Sequence, residues 1–391
     1  MRPPDPDHVP DPTRLRVALF SGNYNYVRDG ANQALNRLVG HLLDKGVAVR
    51  VYSPTTRTPA FAPTGDLVDV PAIPLPLGRG EYRIARGLPR RVRSDLEAFA
   101  PDIVHVSAPD LLGHRALRWA KANGVRTVAS FHTRFETYFR YYKLGFVAPW
   151  IERLMKRFYD RCDRVLVPGP SMERLLRDWG VRAPISVWSR GIDHRRFDPG
   201  RRDLAWRRAL GIADADPVIG FLGRLVKEKG LSIFARVVRE LEVRGVPHRV
   251  LVIGDGPARD WFAERVPGAV FTGFLCGDDL GRAIASTDMF FNPSVTETFG
   301  NVTTEAMCAG VPVVAARATG AVDLIEPGVN GFLVPPRDVG AYADAIAALV
   351  ADPALRRSMG EAGHARALAY RWETANQAAL DAYLDVMREP R

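Results

Sequence analysis

Short apolar runs alternate with longer amphipathic stretches along most of the first half of the chain. The runs have the length of strands and the stretches that of helices, and this alternation indicates a parallel sheet covered on both faces. The predicted strands of this half are Arg14–Phe20, Val47–Tyr52, Ile103–Val106, Thr127–Phe131, Arg164–Val167 and Ile185–Trp188. The first half therefore predicts an α/β domain.

The same alternation starts a second time after a polar stretch at residues 195–203, which we interpret as a hinge. The predicted strands beyond it are Val218–Leu222, His248–Ile253, Ala269–Thr272, Asp288–Phe291, Val311–Ala315 and Phe332–Val334. Two such units in tandem predict an α/β fold of two Rossmann-like domains facing across a cleft. Ligands of these folds bind beyond the carboxyl ends of the strands, so the cleft is the expected site.

The pattern divides the chain into four expected segments. Residues 1–13 are rich in proline and are expected to form a disordered tail. Residues 14–198 are the predicted first domain and residues 199–368 the predicted second domain. Residues 369–391 follow as a predicted C-terminal helix.

Composition narrows the class of protein. With 391 residues, 47% hydrophobic and 25% charged, the chain fits a soluble protein of two domains. It has no apolar run long enough to span a bilayer, no apolar N-terminal leader, and three cysteines without metal-like spacing, which together predict a cytoplasmic setting. The net charge of +10 indicates anionic partners: nucleic acid, phosphorylated metabolites or an acidic lipid surface.

Glycines and cations follow the predicted strands of the second half. Gly223 and Arg224 come directly after the first of these strands, with Lys229 five residues further. Arg can bind phosphate oxygens through paired hydrogen bonds and Lys adds a point charge, so the segment suits a diphosphate clamp; a solvated charged turn is the alternative. Gly254 and Phe274 follow two further strands, where they would approach a ligand or simply belong to turns.

Two glutamates eight residues apart bracket the start of a predicted helix at residues 300–309. Because a helix turns about 100° per residue, one unbroken helix would not aim both carboxylates at one ligand. Glu297 instead falls in the loop after a predicted strand, and Glu305 inside the helix. A small molecule at the helix N-terminus would meet both, and the N-terminus itself favours an anion.

These motifs together resemble those of the retaining glycosyltransferases of family 4, which have the GT-B fold. The resemblance is carried by Gly223-Arg224-Leu225 with Lys229-Gly230, Gly254-Asp255-Gly256-Pro257, and Glu297-x-Phe-Gly-x-x-x-x-Glu305. The segment Thr296–Asn301 is most similar to the branch of sulfoquinovosyl-diacylglycerol synthases, mycobacterial-type α-mannosyltransferases and bacterial diacylglycerol glycosyltransferases. The resemblance also implies that the C-terminal helix returns to the first domain.

The resemblance implies a role for each matching residue. Glu297 would contact the transferred sugar, Glu305 would hold the ribose hydroxyls, and Arg224 with Lys229 would stabilise the leaving nucleotide. Together with His132, the residues Glu297, Arg224 and Lys229 are the expected catalytic set. The expected donor-binding set is Gly22, Arg190, Gly223, Arg224, Lys229, Gly254, Phe274, Phe299, Gly300, Asn301 and Glu305. Neither a metal nor a cofactor is expected, since fixed cations and the helix end would replace a metal ion.

The first half would supply the acceptor side. The resemblance implies that His132 reaches the donor sugar and that Arg190 faces the donor phosphates; an ordinary loop histidine and a salt bridge between the domains are the alternatives. Gly22 lies in the first strand–helix loop, where many relatives have a paired-glycine loop. This chain has the different loop Asn-Tyr-Asn-Tyr-Val-Arg-Asp-Gly at residues 23–30, and so departs from that pattern.

Basic and aromatic residues cluster in the first half. Residues 134–164 combine aromatic side chains with arginine and lysine, and a second basic cluster covers residues 79–93. Such segments suit an anionic membrane surface or stacking on bases, and a solvated basic face is the plainer alternative. With a lipid acceptor such as diacylglycerol, the membrane interpretation predicts a peripheral enzyme on the inner face of the cell membrane.

The sequence therefore favours a retaining glycosyltransferase that uses a nucleotide sugar, preferably a UDP-sugar, to glycosylate a membrane lipid. The alternative within this class is a GDP-mannose-dependent α-mannosyltransferase. An NAD-dependent dehydrogenase would need a Gly-x-Gly-x-x-Gly turn, which neither first-strand loop provides. A basic nucleic-acid-binding protein is the alternative from another class, and no recognition motif supports it.

Overall fold

A computed structural model describes residues 11–27, 29–74, 83–134, 137 and 148–390. The chain divides into two compact units, the first formed by Met1–Arg190 with Trp372–Arg391 and the second by Gly191–Arg371. These divisions lie eight residues before and three residues after the boundaries predicted from the sequence. Most of the predicted tail lies outside the described residues, but its end is ordered, because Pro12–Arg14 forms a short 3-10 helix capped by Asp11.

The first unit is built on a seven-stranded parallel sheet in the order β3-β2-β1-β6-β7-β8-β9, with a separate antiparallel pair β4-β5. The strands are β1 Arg16–Phe20, β2 Ala48–Ser53, β3 Asp66–Asp69, β4 Ala72–Pro74, β5 Arg83–Ala85, β6 Ile103–Val106, β7 Arg126–Ser130, β8 Arg164–Val167 and β9 Ile185–Val187. The helices of this unit are α1 Gly30–Asp44, α2 Arg90–Phe99, α3 Leu111–Ala122, α4 Ala148–Tyr159, α5 Pro170–Asp178 and, at the C-terminus, α14 Trp372–Arg388.

Both faces of this sheet are buried, which explains why its central strands carry apolar side chains on both faces. Val104 and Val106 contribute to the core on one face, whereas Val17 and Leu19 contribute to the core on the other. The C-terminal helix α14 completes the second of these cores with Ala379, Leu380 and Tyr383, among others. The last helix of the chain is therefore part of the first unit.

The second unit has a six-stranded parallel sheet in the order β12-β11-β10-β13-β14-β15. The strands are β10 Val218–Leu222, β11 Arg249–Ile253, β12 Val270–Gly273, β13 Met289–Asn292, β14 Val313–Ala316 and β15 Gly331–Val334. The helices are α6 Leu204–Ala209, α7 Leu231–Val243, α8 Arg259–Ala263, α9 Gly277–Ala285, α10 Asn301–Cys308, α11 Thr319–Leu324, α12 Val339–Ala351 and α13 Pro353–Ala367.

The predicted α/β class with two parallel-sheet units is confirmed. All twelve predicted strands are present, and their ends differ from the prediction by no more than two residues. The strands that the pattern missed are β3, β4 and β5. Strand β3 lies at an edge of its sheet and none of its residues is fully buried, so it lacks the apolar run by which the other strands were predicted.

Candidate active site

The predicted donor-site segments lie side by side at one edge of the second sheet. Gly223 follows β10, Gly254 follows β11, Gly273 ends β12, and the loop that carries Glu297 follows β13. Because β12, β11, β10 and β13 are consecutive neighbours and parallel, their carboxyl ends meet at the same edge. The sheet order therefore brings together four segments of which the first and last, at Gly223 and Glu297, are 74 residues apart in the sequence.

Backbone packing accounts for the glycines at this edge. The amide of Gly223 donates to the Ile253 carbonyl at 3.0 Å, and the amide of Gly254 donates to the Gly273 carbonyl at 2.9 Å. A Cβ atom on Gly254 would lie 2.1 Å from the carbonyl oxygen of Gly223, whereas one on Gly223 would face open space. Gly254 thus holds neighbouring strand ends together with its amide already engaged, as expected of a structural turn. Its contact with a donor remains a prediction.

A close ion pair lies at the centre of this edge. The Nζ atom of Lys229, at the end of the short 3-10 helix Lys227–Lys229, donates to Oε1 of Glu297 at 2.6 Å. Both side chains are largely buried, with 31% and 16% exposure respectively. The residue predicted to bind phosphate and the residue predicted to bind sugar therefore contact each other directly. Arg224 is exposed at the end of β10.

The loop that carries Glu297 is fixed by the start of helix α11. The carbonyl oxygen of Glu297 accepts hydrogen bonds from Oγ1 of Thr319 at 2.6 Å and from the amide of Gly320 at 3.1 Å. A Cβ atom on Gly320 would lie 2.2 Å from the carbonyl oxygen of Phe299, so only glycine allows this close approach. Sequence reasoning missed Thr319, the first residue of α11.

The second glutamate, Glu305, has a pKa far above its ordinary value. The pKa of Glu305 is raised to about 8, mainly by burial; the positive charge of Arg196 opposes the rise and the negative charge of Glu297 adds to it. Glu305 lies on helix α10 as predicted. At neutral pH it is mostly protonated, so it can donate one hydrogen bond as well as accept others. The sequence assigned Arg196 to the hinge and missed its place beside this carboxyl group.

The three residues before and at the start of α10 differ in what they present. Gly300 is the N-cap of the helix and Asn301 its first residue, so the amides of the first turn, which have no partner within the helix, lie at the sheet edge. The Phe299 side chain is buried instead, with its ring edge-on to Tyr370 and the centroids 5.6 Å apart. The ring is therefore packed inside the second unit, and the predicted place of Phe299 in the donor site stays a prediction. Phe274, by contrast, is 66% exposed beside Gly273 and can stack on a flat base.

In the first unit, two of the predicted residues contact each other. The Arg190 guanidinium donates to Nδ1 of His132 at 2.7 Å and to the carbonyl oxygens of Trp188 and Ser189 at 2.9 and 3.0 Å. It also lies over the Trp188 ring, 4.7 Å from the centroid. His132 follows β7 and Arg190 follows β9, so both belong to the carboxyl edge of this sheet.

Both groups have lowered pKa values. Burial lowers the pKa of Arg190 to about 9, and among the described residues no carboxylate pairs with it. Burial lowers the pKa of His132 well below its ordinary range, and electrostatic interactions with Arg190 and His105 add to this effect. His132 is therefore neutral, and because its Nδ1 accepts from a cation, its proton lies on Nε2.

Gly22 lies after β1 at the same edge of the first sheet. A Cβ atom there would lie 2.3 Å from Oδ2 of Asp110, the residue that caps α3. The carbonyl oxygen of Gly22 accepts a hydrogen bond from the Tyr26 hydroxyl at 2.7 Å. The structure thus gives Gly22 a packing role, and its predicted approach to the donor is untested.

The family models and the curated relatives that match this chain agree on one class of protein. Residues 28–196 match the family model described as Glycosyltransferase Family 4, and residues 216–352 match the model described as Glycosyl transferases group 1. The GDP-mannose-dependent alpha-mannosyltransferase of Corynebacterium glutamicum is 31% identical over 95% of this chain and 89% of its own length. The sulfoquinovosyl transferase SQD2 of Arabidopsis thaliana is 30% identical over 95% and 73%.

The fold is also that of solved glycosyltransferases. Sucrose-phosphate synthase from Thermosynechococcus elongatus superposes with a TM-score of 0.79 at 20% identity, covering 96% of this chain and 99% of that one. The two α/β units thus have the GT-B fold of glycosyltransferases that use nucleotide sugars. This chain belongs to glycosyltransferase family 4. Among the described residues, no helix is both long and apolar enough to cross a bilayer, and no three metal-ligating side chains cluster together.

Proposed function

We propose that this glycosyltransferase moves a hexose, with retention of configuration, from a nucleoside diphosphate sugar to a lipid at an anionic membrane surface. The observation that carries the proposal is the Lys229–Glu297 pair at the carboxyl edge of the second sheet. Of the residues that the sequence assigned to the donor, these two form a direct contact that links a phosphate-binding charge to a sugar-binding carboxylate. The pair supports a donor whose diphosphate and sugar bind next to each other.

The proposed roles follow from charge and position. Lys229 and Arg224 bind the diphosphate and stabilise the negative charge that develops on it as the glycosidic bond breaks. This makes a metal ion unnecessary in the proposed mechanism. Glu297, released from Lys229 when phosphate takes its place, accepts hydrogen bonds from the hydroxyls of the sugar. Glu305 binds the ribose, with Phe274 as the proposed surface for the base.

Retention is proposed to occur by attack of the acceptor on the face from which the nucleotide leaves. The leaving phosphate takes the acceptor proton, so no protein nucleophile is needed. His132, held as the neutral tautomer with its proton on Nε2, is proposed to donate a hydrogen bond to the sugar. Arg190 fixes the orientation of the His132 ring in this proposal and does not itself bind the donor phosphates.

GDP-mannose is the proposed donor. The relative from Corynebacterium glutamicum is named for that donor and aligns over nearly all of this chain. A UDP-sugar, which the sequence favoured, is the second candidate. Mass spectrometry tests both candidates, on the products formed from GDP-mannose, UDP-glucose and UDP-sulfoquinovose with extracted lipids as acceptors. A glycolipid product from GDP-mannose supports the proposal. Transfer only from a UDP-sugar would show that the donor is a UDP-sugar and not GDP-mannose.

Helix α4 supports the proposal of a membrane acceptor. Trp150 is 63% and Leu154 39% exposed, and Arg153 and Arg157 are exposed on the same face at helical spacing. The opposite face is buried through Met155, among other residues. An exposed tryptophan and leucine flanked by arginines suit the interface of an anionic bilayer. Before this helix, residues 135, 136 and 138–147 of the aromatic and basic segment lie outside the described residues, and so do residues 79–82 of the second basic cluster.

The double variant Trp150→Ala with Leu154→Ala should weaken binding to phosphatidylglycerol vesicles by about tenfold, because it removes apolar area that would enter the bilayer. Cosedimentation at low salt measures the effect, and added salt should release the wild-type protein. The matched control is Val243→Ala, which trims an exposed apolar side chain of the second unit. Absence of wild-type binding at low salt would favour a soluble acceptor and reject the membrane part of the proposal.

A further inference from the structure

A second basic site lies in the first unit, between helices α2 and α3 and the end of β5. It is a cavity of about 630 Å³ lined by four arginines, Arg86, Arg93, Arg115 and Arg118, and by apolar residues that include Leu88 and Trp119. We name it the arginine pocket. Its volume is within the usual range for a small-molecule site.

Among the described residues, no carboxylate neutralises the charges of the arginine pocket. Among the described residues, none of its four arginines forms an ion pair, whereas Arg50 and Arg164 of the same unit pair with Asp95 and Glu389. Glu97 is the one acidic residue among those that line the pocket, and it forms no ion pair with the arginines. Four cations around one cavity repel each other, so the pocket favours an anion that binds several of them at once.

The wall of the arginine pocket is closely packed. Gly87 has a φ of +103°, and a Cβ atom there would lie 3.2 Å from Cγ of Arg115, so glycine lets the Arg115 stem approach the backbone. Leu88 and Trp119 are partly buried and pack against the core of the first unit. The apolar part of the pocket is therefore anchored in the core, and the exposed arginines supply its polar part.

The arginine pocket is separate from the carboxyl edge of the first sheet. Helix α3 follows β6 and begins at that edge, and it runs back toward the amino end of β7. Its pocket residues, Arg115 to Asn123, lie on the later turns and just beyond, and therefore away from the edge that holds His132 and Arg190.

We propose that the arginine pocket binds a phosphate ester whose substituent contacts Leu88 and Trp119. Guanidinium groups bind phosphate oxygens through paired hydrogen bonds, and several arginines can share the three oxygens of a monoester. The ligand is a lipid with a phosphate headgroup or a free phosphate ester. This site is independent of the donor site of the second unit.

Calorimetric titration with soluble probes tests the proposal. Saturating GDP or UDP is present, so that the residues of the second unit that are proposed to bind phosphate are already occupied. The probes are glycerol 3-phosphate, monomeric dihexanoyl phosphatidic acid, and dihexanoyl phosphatidylcholine as the zwitterionic control. The proposal predicts one bound phosphatidic acid per chain and no binding of phosphatidylcholine. At least tenfold weaker binding of glycerol 3-phosphate identifies a lipid headgroup, and equal affinity identifies a free phosphate ester.

Three variants locate the binding. Arg115→Gln with Arg118→Gln should weaken it at least tenfold, and Ala122→Trp should do the same by filling the pocket with every charge retained. Arg236→Gln with Arg239→Gln removes the same charge from exposed positions on α7 and should leave the affinity unchanged. Thermal unfolding checks that all three fold. The proposal is overturned if neither phosphate probe binds, if Ala122→Trp binds like the wild type, or if the α7 control loses affinity equally.

Discussion

In each unit, the candidate polar residues lie at the carboxyl edge of the parallel sheet. The two units stabilise the charges of these residues in opposite ways. In the second unit, Lys229 and Glu297 neutralise each other as an ion pair. In the first unit, Arg190 is buried with a neutral histidine, two carbonyl oxygens and an aromatic ring as its partners. The second unit thus has a charge pair that an incoming anion can exchange, whereas the first holds Arg190 in a fixed cluster of neutral partners. In the proposed function, donor charge would therefore be handled in the second unit, and the geometry of the reaction would be set in the first.

The largest expected effect is on the exchangeable pair. Lys229→Ala should lower kcat/KM by about 10²–10³-fold and also weaken binding of the nucleoside diphosphate, because it removes a cation that stabilises developing charge. Lys227→Ala is the matched control, since it removes an exposed lysine of the same 3-10 helix and should change kcat/KM less than twofold. Equal effects of the two variants on kinetics and on calorimetric affinity would remove the special role of Lys229.

The fixed cluster predicts a histidine that does not titrate in the usual range. His132 should stay neutral from pH 5.5 to 8, with its proton on Nε2, because burial and the Arg190 charge both disfavour its cation. Ring ¹⁵N chemical shifts measure the tautomer and the protonation. A His132 signal that titrates near pH 6.5 would show that the cluster is open and would end the contrast between the two units.

A smaller effect concerns Glu305 and stability. Because its folded pKa, about 8, lies above its ordinary value of 4.5, the stability that it contributes is present below pH 4.5 and is lost as the pH rises through 8. Glu305→Gln should therefore raise the Tm relative to the wild type more at pH 8 than at pH 5. Thermal unfolding at the two pH values measures this, with the exposed Glu242→Gln as the control for loss of one carboxylate. A constant difference between Glu305→Gln and wild type at both values would contradict the raised pKa.

The parts of the site that the sequence predicted are those that depend on strand ends. Apolar runs mark where strands stop, and the parallel order of the sheet then brings Gly223, Lys229 and Glu297 to one edge. The Lys229–Glu297 contact itself could not be predicted, because it depends on the path of two loops 68 residues apart. Thr319 and Arg196 were missed for the same reason, and the burial of Phe299 depends on Tyr370, which no local pattern connects to it.

The central claim is that Glu297 acts on the transferred sugar while Lys229 acts on the phosphates. The most direct test is Glu297→Gln, measured for transfer rate with the active donor and for affinity toward the matching nucleoside diphosphate. Glutamine keeps the size of the side chain and removes the charge. The account predicts that transfer falls by at least 100-fold while nucleotide affinity stays the same or rises, because Lys229 is no longer paired. An unchanged transfer rate, or a parallel loss of transfer and nucleotide affinity, would contradict it.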